Sequence, residues 1–359
     1  MTDAVDIVVV GSGAAGIAAA ITAARAGCAT LLLDQHPAAG GTGGLSGLTT
    51  LCGLYDGEGN FLNDGFSREF AEALGEAAPL RMGKVWVLPY RPARFREIAA
   101  NLLAHTPNVQ TLWNTPVAKV IVESGRIVRI NNLEVGAVVD ASGTAEVARA
   151  IGAECLATDE TTQAPATVFP LANVTRSIRT PAEVAAVLLP LARAGLPPLS
   201  FQPNLDPNTL TVKFTGPPGQ ARDVIAFLRR HVEGFENCST PVTEFTVARR
   251  SGRMIIGQYL LTGADVAAGR TFPDAIARGA WPIEQWDAEG KARFRYLPPG
   301  AHYEIPARSL QAARTPNLFM AGKTISADVD AIASARVMGC SLATGAAAGK
   351  LAARWLGSK

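Results

Sequence analysis

The chain has 359 residues, with 33 Lys and Arg against 31 Asp and Glu and a formal net charge of +2. That balance gives no electrostatic footprint for nucleic acid or an anionic membrane surface. With 48% hydrophobic and only 18% charged residues, it also excludes an intrinsically disordered chain. At about 100–200 residues per domain, two domains are expected. The 35 glycines follow no collagen-like period and are expected to act locally.

The five cysteines, Cys28, Cys52, Cys155, Cys238 and Cys340, are scattered and form no C-x-x-C pair. Neither a disulfide framework nor a zinc ribbon is expected, and no metal site. The apolar start carries Asp3 and Asp6 in place of a basic leader, so no signal peptide is expected. Gly11, Gly13, Gly16 and Arg25 interrupt it well short of the roughly 20 apolar residues a spanning helix needs. A cytoplasmic protein without membrane or nucleic-acid partners is the expectation.

Residues 5–10 (VDIVVV) read as a strand buried on both faces. GSGAAG follows at 11–16, then an Ala-rich helix to about Ala26 with Gly27 as its stop, then a strand ATLLLD at 29–34. This β-α-β unit implies a parallel sheet. A glycine-rich loop, GGTGGLSG, occupies 40–47, and helices are expected near 62–76 and 92–104. Residues 116–140 read as successive short strands with a hairpin turn at ESG, and 144–152 as a helix. Between about 160 and 300 prolines are frequent, and strands alternate with helices near 181–194 and 219–231. Residues 316–321 give another strand, and one long small-residue helix is expected from about 329 to 355.

Gly11, Gly13 and Gly16 form G-x-G-x-x-G between a strand and a helix. The glycines serve a tight turn, close approach to a pyrophosphate and close helix–strand packing, and the helix N-terminus offers free N–H groups to phosphate. Asp34 lies 18 residues after Gly16, where an acid can hold ribose hydroxyls. A dinucleotide site follows, with Ser12, Ala14, Ala15 and Gln35 beside these residues.

Three features favour FAD over NAD. The loop carrying Gly41, Thr42 and Gly43 is poised to pass over a longer cofactor. The inserted strands, with Val117 and Ala118, lead to Ala141, Ser142 and Gly143 at a strand end. AGKTIS at 321–326, with Gly322 and Lys323, is read as the start of the C-terminal helix, which contains Ser341. A helix N-terminus there would stabilise negative charge on a reduced flavin.

The segments 8–27, 140–153, 251–266 and 303–349 resemble FAD-dependent oxidoreductases related to the fumarate reductase flavoproteins, with a glutathione-reductase-type FAD fold. The C-terminal block (YEIPARSL, then NLFMAGKTIS and the SAR-containing helix) is its most specific part. The resemblance implies an α/β architecture. A discontinuous Rossmann-like FAD domain, residues 1–160 and 300–359, has a parallel sheet with an antiparallel insertion. An inserted α+β substrate domain spans 161–299. Two departures matter: Trp286 stands where relatives often carry a His, and the acid-rich D-x-T-G-D-G-D element is reduced to DASGTAE, leaving Glu146.

Arg336 and Arg308 match family positions and are the first catalytic candidates, to neutralise reduced flavin or hold a substrate carboxylate. A structural ion pair is the competing reading. His302 and Tyr303 are candidate proton carriers, against a structural role. His36 is expected near the adenosine. Cys52 lacks a second cysteine about four residues away, so no redox disulfide is expected, while a lone thiol near flavin stays open. Cys340 is expected in the core. Phe169, Phe201, Phe214, Trp281, Trp286 and Tyr296 could line a pocket or fill a core, and Arg249, Arg250 and Arg253 could bind an acidic substrate or face solvent.

The leading expectation is hydride transfer between flavin N5 and a small organic substrate between two domains. The alternatives are an FAD monooxygenase using NAD(P)H and oxygen, an accessory flavoprotein acting on a partner redox protein or other external acceptor, and a non-redox dinucleotide-binding protein. A homodimer is plausible from the apolar composition.

Overall fold

The computed structural model describes residues 4–357 apart from 162, 177 and 179. From the amino terminus, β1 (Ala4–Val10), α1 (Ala14–Arg25) and β2 (Thr30–Leu33) form the expected β-α-β unit. Next come α2 (Gly41–Leu45), β3 (Thr50–Cys52), α3 (Phe66–Leu74), β4 (Leu80–Met82), β5 (Val85–Pro89), α4 (Pro92–His105) and β6 (Val109–Leu112). β7 (Val120–Glu123), β8 (Arg126–Ile130), β9 (Leu133–Asp140), α5 (Glu146–Ala150) and β10 (Cys155–Thr158) follow. The middle of the chain holds β11 (Ala166–Leu171), α6 (Pro181–Arg193), β12 (Leu199–Pro203), β13 (Leu210–Thr215), α7 (Ala221–His231), β14 (Thr246–Ala248) and β15 (Gly252–Ile255). The last part is α8 (Gly263–Ala267), β16 (Ala275–Gly279), β17 (Ile283–Trp286), β18 (Ala292–Arg295), β19 (Tyr303–Pro306), β20 (Leu318–Met320), α9 (Val329–Ala335) and α10 (Met338–Gly357).

The main sheet runs β6-β2-β1-β9-β8-β7, with β20 also paired to β9. β1, β2, β6, β9 and β20 are parallel; β7, β8 and β9 form the antiparallel insertion. Burial on both faces explains the apolar run 7–10 of β1, where Ile7, Val8 and Val9 are fully buried. The strand ends Val10, Leu33 and Asp140 stand side by side, which brings three loops to one crevice. A second, antiparallel sheet, β12-β13-β11-β14, has its own core of Phe169, Leu171, Val212 and Phe214 against α6 and α7. Thr180 and Glu183 close α6 with a capping box. Among the described residues no single helix is long and apolar enough to cross a membrane.

Three expectations change. The 40–47 loop contains a helical turn, because Gly43 and Gly44 lie against Phe95 and Arg96 of α4; a Cβ on Gly43 would sit 2.5 Å from the Phe95 ring. Residues 322–324 form a 3-10 turn, and helix starts only at Val329. The long C-terminal helix is two helices meeting at 96°. The break falls where the β3 loop packs against the chain: a Cβ on Gly339 would lie 2.3 Å from the Gly53 carbonyl, and Val337 covers Gly53.

Candidate active site: a nucleotide cleft and an adjoining pocket

The first loop turns at Gly11, whose φ is +97° and whose added Cβ would lie 2.6 Å from the Ala141 carbonyl oxygen. A Cβ on Gly16 would lie 1.6 Å from the Gly11 oxygen, so Gly16 is a packing glycine outside the cleft wall. Gly13 caps α1 without any side-chain hydrogen bond, and its own Cβ would meet nothing nearer than Gly41 Cα at 3.9 Å. The first N–H groups of α1 therefore face the cleft without a protein cap, the donor set a pyrophosphate needs.

Asp34, at the end of β2, is buried and accepts bonds from Ser12 N (2.5 Å), Ser12 Oγ (2.7 Å) and His36 N (2.8 Å). Asp140 organises the third loop. Its Oδ1 accepts from Ser142 N and Oγ, and its Oδ2 from Val147 N and Ala148 N. Burial pushes the Asp140 carboxyl up, opposed by those four donors.

One cleft is walled by residues 10–15, 33–36, 41–43, 141–143 and 321–323, with Thr115, Glu146, Arg336, Met338 and Ser341. It brings together the expected Gly11, Ser12, Gly13, Ala14, Ala15, Asp34, Gln35, Gly41, Thr42, Gly43, Ala141, Ser142, Gly143, Gly322, Lys323, Ser341 and Arg336, and also His36. Val117 and Ala118 are not in the wall. Their segment turns away to grip Asn131, which accepts from Ala118 N and donates to the Pro116 carbonyl. Thr115 stands in the wall instead, tied to the Asp34 carbonyl at 2.8 Å. Its signal was positional, since it follows β6, the parallel neighbour of β2. Met338 and Ser341 belong to the first turn of α10, so the helix end at the cleft is that of α10 and not residues 321–326. Burial, with Arg336 and Arg249 nearby, pushes the Lys323 ammonium down to about 8.

Arg308, His302 and Tyr303 line neither this cleft nor the pocket beside it. Arg308 is exposed and forms a forked pair with Asp274, at 3.0 and 3.2 Å. Tyr303 is fully buried with its hydroxyl 2.9 Å from Ser334 Oγ, and burial raises its pKa well above the ordinary value. The His302 carbonyl packs against Gly269.

A second cavity, of about 410 Å³, adjoins the cleft. Thr42, Arg336 and Met338 are walls of both. Phe201, Trp281, Trp286, Phe294 and Tyr296 supply apolar surface, whereas Phe169 and Phe214 belong to the core. Sequence reasoning missed Lys213 and Glu284; both sit on short strands and carry no motif. Trp281 and Trp286 donate their indole N–H groups to Glu284, at 2.8 and 2.5 Å. Burial raises the Glu284 carboxyl, but Lys213, Arg336 and the two indoles outweigh it and hold it below its ordinary range. Burial lowers Lys213, helped by Arg250, and pushes Arg250 down to about 10. Arg249 sits at the rim, paired with exposed Glu160, and Arg253 is exposed. Cys52 lines the pocket, where burial and Glu284 push its thiol up to about 12, so it is a protonated thiol at neutral pH. Cys340 is buried in α10.

A β-α-β unit with an uncapped helix end, a buried acid and three converging strand ends defines a dinucleotide-binding protein of the FAD type. The chain belongs to the FAD dependent oxidoreductase family, whose profile matches residues 6–215 and 205–359, and FAD is its cofactor. No curated protein matches it in sequence. Among solved structures it is similar to a geranylgeranyl bacteriochlorophyll reductase-like protein from Thermoplasma acidophilum, at 14% identity, covering 99% of this chain and 79% of that one with a TM-score of 0.52. It is also similar to GidA from Aquifex aeolicus, at 14% identity, 99% and 64% coverage and a TM-score of 0.54. CabE, an aromatic hydroxylase from angucycline biosynthesis, matches at 12% identity, 90% and 56% coverage and a TM-score of 0.50. The chain thus spans less than two thirds of GidA and CabE, and at these identities the likeness is one of fold.

Proposed function

We propose that the protein passes hydride between bound FAD and a small organic substrate seated in the pocket beside the cleft. The observation that carries this reading is the shared wall: Thr42, Arg336 and Met338 belong to both cavities. Membership of the FAD dependent oxidoreductase family supports it. Bound FAD supplies hydride and electron exchange at N5. The chain's own residues do the rest. The Gly11–Gly16 turn and the N-terminus of α1 hold the phosphates, and Asp34 with Ser12 holds a ribose. Arg336 carries positive charge to the boundary between the cavities, where it balances negative charge on either ligand. Phe201, Trp281 and Trp286 keep water from the substrate. Cys52 takes no part as a thiolate, because burial keeps it protonated.

The organisation proposed with this is a discontinuous cofactor domain, 1–160 and 300–359, and a substrate domain, 161–299. The pocket drawing on Thr50 and Cys52 from one part and Lys213 and Glu284 from the other supports it. The test is anaerobic mixing of the FAD-loaded protein with a panel of small organic acids, alcohols and amines, following the flavin's visible absorption. Bleaching by one of them, lost in Arg336→Met with FAD still bound, is expected. Bleaching by NADPH alone, followed by oxygen uptake dependent on an aromatic substrate, would replace this reading with a hydroxylase.

A further inference from the structure

The pocket beside the cleft combines apolar walls with unbalanced charge. Its inner charged groups are Arg250, which is buried, and Lys213, Arg336 and Glu284, which are half-buried. Glu284 spends both oxygens on the indoles of Trp281 and Trp286. Among the described residues none of the three cations forms an ion pair with a carboxylate. The Lys213 ammonium has the face of Trp286 at 5.1 Å and no hydrogen-bond acceptor among the described residues. The Arg250 guanidinium lies over the same ring at 4.6 Å and donates to the Ala164 carbonyl. Arg336 donates to Gln163 Oε1 at 3.1 Å and to the Glu284 carbonyl at 3.4 Å, and its buried Nε has no acceptor. Three cations thus face one carboxylate, whose two oxygens each already accept an indole N–H.

Unpaired buried charge is costly, and it is retained where a ligand completes it. The same ring that bears two cations, Trp286, presents a flat apolar face. We propose that the substrate pocket is built for an organic acid: a carboxylate taken by Lys213 with Arg336, on a planar, apolar body lying among Trp281, Trp286 and Phe201. The volume suits one or two rings. Trp286 then has a role that a histidine would not serve, since its larger ring carries both cations and adds apolar wall to the pocket. This proposal rests on the pocket being the substrate site of the proposed oxidoreductase.

The test is calorimetric binding to the oxidised, FAD-loaded protein, which needs no turnover. The probes are benzoate, phenylacetate and cinnamate, each against its neutral amide. The expected result is that at least one acid binds tighter than its amide by about tenfold or more. Lys213→Met removes that preference and Lys213→Arg keeps it, with the visible flavin band of each variant reporting an intact fold. Equal binding of acid and amide, no binding by any acid, or a preference unchanged in Lys213→Met overturns the proposal. An acid preference without flavin bleaching by any substrate would leave it standing and sink the hydride-transfer reading alone.

Discussion

Helix α10 crosses α1 at glycines, and replacing one of them tests how the cleft is held. A Cβ on Gly345 would lie 2.1 Å from the Ala15 carbonyl oxygen and 2.8 Å from Ala15 Cα; one on Gly349 would lie 2.4 Å from the Ala19 oxygen. The four-residue spacing on both helices makes these one continuous contact. In a free helix Gly→Ala is worth about 1 kcal/mol of stability. Here the obstacle is backbone, which cannot rotate aside, and overpacking costs about 1–3 kcal/mol or more. With backbone only 2.1 Å away the upper end of that cost applies, so Gly345→Ala should destabilise by about 2 kcal/mol or more net. It should also weaken FAD binding, because the displaced Ala15 lines the nucleotide cleft. Urea unfolding with and without FAD reads both effects. Gly357→Ala, where an added Cβ meets nothing within 4 Å, is the control and should be neutral or slightly stabilising. A Gly345→Ala protein as stable as the parent, with native FAD affinity, would refute the claim that the helix contact sets the cleft.

Asp34→Ala should weaken FAD binding by roughly ten- to a hundredfold, measured by fluorescence titration, since it removes a charged acceptor and frees Ser12. Arg336→Met should lower turnover about a hundredfold while FAD stays bound, measured by anaerobic flavin reduction. Arg308→Ala should leave kcat/KM within about twofold, as its forked pair with Asp274 is exposed. Lys323 gives a pH effect in the FAD-free protein. Its folded value of about 8 lies below the ordinary 10.5, so the unfolded chain binds more protons between them. Stability should rise by up to about 3 kcal/mol as pH climbs through that window, the full cost of the buried ammonium being present below it. Thermal melts of Lys323→Met should lack this rise.

Local signals made the nucleotide cleft readable. G-x-G-x-x-G, Asp34 and the DASG turn each have a backbone reason visible within a few residues, and the parallel sheet follows from β1 and β2. Gly16 was readable as a packing glycine, but only the close contact with Gly11 separates it from the wall. The pocket was harder to see. Lys213 lies between the core residues Val212 and Phe214 of β13, and Glu284 two residues before Trp286, so either reads as a solvent-facing side chain until the pocket is assembled. The bend at Arg336 was invisible for the same reason: the residues just after it pack against the Gly53 backbone, about 280 residues earlier in the chain. Arg308 matched a family position and Tyr303 stood just before that segment, yet an exposed pair with Asp274 accounts for the first and a buried bond to Ser334 for the second.

The sharp bend between α9 and α10 has a thermodynamic consequence. It delivers Arg336 and Met338 to the partition between two ligand sites, so neither site can be filled without altering the field and packing felt by the other. Linkage then requires reciprocity: whatever factor the cofactor contributes to acid affinity, the acid contributes to cofactor affinity. Where that factor exceeds one, a molecule already holding an acid keeps its cofactor longest; where two anions compete for the one charge of Arg336, the factor falls below one and the acid helps to expel it.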